Sequence, residues 1–199
     1  MDFEIRAGVP VEIREADDGG AIKVEGYAAV FGEEADIGGF FREVIQPGAF
    51  DGALSESDVP FLINHDGLPL ARTGSGTLDL SIDERGLKIA TELDPDDPDV
   101  QSIVGKMRRG DLDKMSFAFT VARQEWDETG ETPLRKILEF DRIFDVSIVT
   151  EPAYKGTEIG LRSLEAHRKA ERAENGMAAY AERVRRRMRM NLALREREG

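Results

Sequence analysis

The chain has no cysteine, only two histidines and one tryptophan, and few aromatic residues of any kind, at 7%. Without cysteine there are no disulfides, no thiolate metal sites and no cysteine nucleophile. No stretch approaches the roughly 20 apolar residues that span a bilayer, so no membrane association is expected. The opening segment "MDFEIRAGVPVEIREADDGG" carries early acids and no apolar core, so it does not read as a secretory signal. These absences point to a bacterial-type cytoplasm, or to an assembly formed there. Positive charge is also scarce over most of the chain: residues 1–160 hold 16 Lys and Arg against 34 Asp and Glu. Such an acidic body is poorly suited to nucleic acid, whose phosphates call for clustered Lys and Arg.

What remains is a soluble, globular composition, 40% hydrophobic and 34% charged over 199 residues. That length supports one good-sized core with an appendage. The first 160 residues read as mostly strands with closely spaced turn signals, an α+β, mainly β class. "AIKVEGYAAVFG" supplies a strand and leads into a Gly- and acid-rich loop. Pro47-Gly48 breaks the chain before a short helix expected over residues 49–54. "VPFLINHDG" is a strand ending in a polar turn, and "GTLDLSIDERGLKIATELD" alternates on both sides of a hairpin turn. Asp97 caps a helix with Pro98 in its first position and Gly110 at its end. "PLRKILEFDRIFDVSIVTEPAY" gives two strands, the last broken by Pro152.

From Ser163 the composition favours helix, and residues 161–199 hold 11 Lys and Arg against six Asp and Glu. The boundary between a body (residues 1–162) and a charged, Arg-rich helical tail (163–199) falls at Leu161 to Ser163. Asn175-Gly176 is expected to divide the tail into two helices. Three readings of its Arg185-Arg186-Arg187 run stand side by side: a solvated face, a partner-binding element or a nucleic-acid contact.

"DKMSFAFTV" is a strand whose Met115, Phe117, Phe119 and Val121 share one face, with Ser116, Ala118 and Thr120 on the other. Ser116 is either a small residue that admits a neighbouring chain or a nucleophile. A serine hydroxyl needs a base within about 2.6–3.2 Å, and that base needs a third group to orient it. His167 lies in the charged tail, where solvation accounts for it. His65, which shares a strand face with Phe61 and Ile63, is the imidazole available in the body; a buried structural histidine is the plainer reading. Three acids compete for the third place. Asp145 interrupts an apolar strand face shared with Ile143, Ser147 and Val149, Glu151 stands at the strand end, and Asp66 points away from its neighbour His65. Phe61, Phe117, Phe119 and Phe144 are read as core. Trp126, in a polar loop, is either a partner contact or a partly buried anchor.

Five segments in order, "EGYAAVFG", "FREVIQPGAF", "FLINHD", "KMSFAF" and "FDVSIVTEPAY", resemble the prohead proteases of tailed bacteriophages over residues 20–160. These are serine endopeptidases of capsid maturation, related in fold to the herpesvirus assemblins. The resemblance implies an assemblin-like closed β-barrel with flanking helices. It further implies Ser116 as nucleophile, His65 as general base and Asp145 as orienting acid, with Glu151 in reserve. The loop from Glu151 to Tyr154 falls where assemblin-like enzymes supply backbone N–H groups to an oxyanion. No metal or organic cofactor is implied. The implied partners are the major capsid protein and scaffold inside the assembling prohead in the host cytoplasm, with self-association and self-cleavage as further expectations. Two rival readings are a catalytically inactive assembly protein with the same fold and a nucleic-acid-associated structural protein.

Overall fold

Ten strands and two α-helices form among the described residues of a computed structural model, which covers 3–15, 22–54, 57–150 and 156–195. In chain order they are β1 (Glu4–Glu15), β2 (Ile22–Val30), β3 (Glu34–Ile37), β4 (Phe41–Ile45), β5 (Pro60–Ile63), β6 (Asp66–Arg72), β7 (Leu78–Ile82) and β8 (Gly86–Leu93). Then follow α1 (Pro98–Arg108), β9 (Lys114–Asp127), β10 (Leu134–Val149) and α2 (Gly156–Arg195). Contacts divide the chain into two units, Met1–Ile159 and Gly160–Gly199. The first is mainly β, and α2 is a helix of 40 residues. No described helix is long and apolar enough to cross a membrane.

The strand path runs β3-β4-β10-β9-β1-β2-β8-β7, with β5 attached to β10 and β6 to β5. β1 joins the two halves: its start pairs with β9 and its end, from Val11 to Glu15, pairs with β2. A barrel closes only when its terminal strands pair. Here β3 and β7 do not pair, so the expected closed barrel is replaced by an open sheet. The cause lies in β10, whose second edge is divided between β4 along Leu134–Ile137 and β5 along Val146–Ile148. The sheet branches there instead of closing.

Several local expectations change as well. Residues 49–54 form successive turns rather than a helix, in a segment where Gly48 adopts φ +85°. The two strands expected in "PLRKILEFDRIFDVSIVTEPAY" are one long strand, β10, whose register against β9 shifts repeatedly between Ile137 and Asp145. Asn175-Gly176 does not interrupt α2; an interior glycine costs a helix only about 1 kcal/mol relative to alanine. Trp126 lies within β9, half-buried, with its ring edge-on to Phe41 at 5.0 Å and the Arg135 guanidinium over it at 5.8 Å. It is an anchor within the sheet.

The core lies beneath the central strands and includes Phe50, Phe61, Phe117, Phe119, Phe140, Val146 and Ile148. α1 adds Val100, Ile103, Val104 and Met107 from one face. Its expected start is realised: the Asp97 carboxylate accepts the Asp99 N–H at 2.8 Å, and Pro98 follows in the first turn. Each large apolar side chain buried in this way contributes roughly 1.5–3 kcal/mol. The strands on which the candidate residues ride are therefore held from behind by aromatic packing.

Candidate active site

Three adjacent strands set the geometry. β9 and β10 run antiparallel with Ser116 directly opposite Ser147, and β5 lies parallel to β10 with Leu62 beside Ser147. Phe117 opposes Val146 and Met115 opposes Ile148 on the core side. Alternation therefore puts Ser116, Asp145 and Ser147 together on the opposite side.

Asp145 reaches that side through a bulge. Ile143 opposes Phe119 and Asp145 opposes Ala118, so Phe144 is an extra residue with no partner of its own. The bulge resets the two-residue period. It separates Ile143, which packs in the core, from Asp145, with which plain alternation had grouped it. It also turns Phe144 out of the core to meet Phe3 at 5.6 Å between ring centres, half-buried.

His65 is not on a strand face, as the sequence pattern had suggested. β5 ends at Ile63, which pairs with Asp66, so Asn64 and His65 are the two central residues of a tight hairpin turn. Both have positive φ, 51° and 60°, the requirement of a type I′ hairpin, for which asparagine is well suited. The turn is tied to β10 by the Asn64 N–H donating to the Ile148 carbonyl at 2.9 Å and the Thr150 N–H donating to Asn64 Oδ1 at 3.2 Å. Asp66 is exposed on the far side of this turn.

The turn delivers the imidazole between the carboxylate and the serine hydroxyl. His65 Nδ1 lies 2.7 Å from Asp145 Oδ1, and His65 Nε2 lies 2.7 Å from Ser116 Oγ. Ser116 is fully buried, and the His65 and Asp145 side chains are 9% and 10% exposed. A carboxylate against Nδ1 fixes that nitrogen as the donor, leaving the Nε2 lone pair for the serine hydroxyl. The single Ser116 proton then has two alternative acceptors, Nε2 and the Arg6 carbonyl 2.9 Å away. Neutral imidazole takes it; a protonated ring would donate to Oγ and turn the hydroxyl toward Arg6.

Arg6 also belongs to a buried ion cluster under β1. Arg135, 1% exposed, donates to both Glu4 oxygens at 2.6 and 2.7 Å and to Glu43 at 2.9 Å. Arg6 donates to Glu43 at 2.6 Å and to Glu4 at 2.7 Å. Two cations and two anions thus pin the strand whose carbonyl faces the serine.

The structure thus brings together Ser116, His65 and Asp145, while Glu151 and the loop to Tyr154 lie outside the described residues. It also places two groups that sequence reasoning did not single out for the site. Ser147 was visible as a hydroxyl two residues from Asp145. The Arg6 carbonyl carries no side-chain signal at all.

An imidazole bridging a serine and an aspartate is the arrangement of a serine hydrolase, and comparison with known proteins gives the class. A family model described as caudovirus prohead serine protease matches residues 9–171, and the chain belongs to that family. Among its relatives is the prohead protease of Enterobacteria phage HK97, 30% identical over 146 residues that cover 71% of this chain and 60% of that protein. The chain thus spans less than two thirds of that relative's length. No solved structure matches.

Proposed function

We propose that this chain is a serine endopeptidase of prohead maturation that cleaves scaffold, or the scaffolding segment of the capsid protein, and also itself. Family membership supports the class, and the 2.7 Å contacts on both sides of His65 carry the mechanism. In this reading Ser116 Oγ attacks the scissile carbonyl as His65 Nε2 takes its proton. Asp145 holds the ring in the required tautomer and stabilises the imidazolium. His65 then passes the proton to the leaving amine, and water, activated by the same nitrogen, releases the acyl group. Packaging within the assembling prohead of the host cell would set capsid protein and scaffold at high local concentration around the enzyme.

Ser116 has no exposed surface, so acylation requires local displacement of what covers it. The test is to treat a preparation that processes capsid protein with a fluorophosphonate and map the adduct by peptide mass spectrometry. A single adduct on Ser116, absent from His65→Ala, is expected. An active preparation labelled elsewhere, or not at all, overturns the reading.

A further inference from the structure

Ser147 is fully buried and touches both other members of the proposed triad. Its Oγ donates to Asp145 Oδ1 at 2.7 Å and accepts the His65 backbone N–H at 3.2 Å. It also lies 3.2 Å from His65 Nδ1. A serine hydroxyl has one proton. The Asp145 carboxylate is the strongest acceptor within reach and takes it, leaving the Ser147 lone pairs for the His65 N–H.

Two consequences follow. First, the oxygen that receives Nδ1–H is the oxygen that Ser147 holds, so the carboxylate cannot turn about its own axis without breaking both bonds. Second, the backbone of His65, held at φ +60°, has its N–H satisfied by a group fixed in β10. Asp145 and Ser147 are two residues apart on one regular stretch of β10, so alternation presents them on the same side. The acid, the imidazole backbone and the serine thus close a ring of contacts around one side of the base.

We infer that Ser147 is a positioning residue of this active site, fixing both the carboxylate that orients His65 and the turn that carries it. The inference rests on the Ser116–His65–Asp145 reading. It predicts a graded loss, since a misplaced base costs on the order of 10- to 100-fold, far less than a missing one. It also predicts a signature on the Nδ1 proton, whose acceptor loses its second hydrogen bond.

The experiment uses the full chain and a fluorophosphonate probe, in which Ser116 Oγ bonds to phosphorus, fluoride leaves, and His65 takes the hydroxyl proton. In Ser147→Ala the second-order labelling rate should fall about 10- to 100-fold, with Ser147→Thr, which keeps the hydroxyl, recovering part of it. The low-field proton resonance of His65 Nδ1–H should shift or broaden in Ser147→Ala while the unfolding midpoint stays near wild type. Labelling and resonance both unchanged in Ser147→Ala, with Ser116→Ala unlabelled, overturn the role of Ser147 alone. Ser116→Ala that still labels at the wild-type rate overturns the triad reading beneath it. A lower labelling rate that tracks a lowered unfolding midpoint, with the resonance unmoved, assigns Ser147 a merely structural role and also overturns the inference.

Discussion

At the scale of single residues, the site depends on which hydrogen each polar atom can give. Asp145 accepts, Nδ1 donates, and Nε2 is left free to accept from Ser116. Asparagine at position 145 offers an amide that can donate to Nδ1, which selects the wrong tautomer. Asp145→Asn should therefore lower kcat by about 10³–10⁴-fold without unfolding the protein. Glu151→Gln should leave kcat within a few-fold of wild type, as measured on purified capsid protein. A larger loss in Glu151→Gln would move the acid to that position. Ser116 and the isolated acid at 145 were legible in the sequence because each breaks an apolar pattern. His65 was legible as a residue type but misplaced by one structural step. Period-two reasoning extends a strand until a breaker appears, and the positive φ of Asn64 and His65 is a backbone choice that side-chain pattern does not announce.

At the scale of elements, β1 is held by its ion cluster rather than by apolar burial alone. Removing one member leaves buried charge uncompensated. Arg135→Met should destabilise the protein by about 3–5 kcal/mol, measured by urea unfolding, although methionine fits an apolar site well. Burial pushes the Glu4 carboxyl up, but hydrogen bonds and charge from Arg135 and Arg6 outweigh it and hold the group below its ordinary value. A carboxyl lowered in the folded state contributes stability that is complete above its unfolded range, near ~4.3. That contribution is lost as pH falls through the lower folded value. The urea midpoint of wild type should therefore drop more between pH 6 and pH 3 than that of Glu4→Gln, which has no such carboxyl to protonate. Equal drops would remove Glu4 from the pH response. α1 and the hairpin of β7 and β8 were readable because their stop and start signals are local: Asp97, Pro98 and Gly110 for one, Asp83 to Gly86 for the other. The branching of the sheet was not, because it is set by β4 and β5, far away in sequence; nor were the bulges of β10, because an extra residue against the neighbouring β9 leaves no mark on the side-chain pattern.

At the scale of the whole molecule, an acidic body and a basic, Arg-rich segment occupy one chain. We propose that residues 163–199 bring the enzyme to scaffold or capsid shell and are removed by self-cleavage. A chain lacking residues 163–199 should still cleave capsid protein in solution yet be missing from purified proheads, as read by immunoblot. Normal incorporation of the shortened chain would contradict that role. If one serine and one imidazole perform the proposed capsid processing, co-expression with the cognate capsid protein will show it. Wild type should yield the shortened capsid protein, whereas Ser116→Ala and His65→Ala should each leave it at full length, consistent with a rate loss of about 10⁴–10⁶-fold. Processing that persists in both variants would contradict the account.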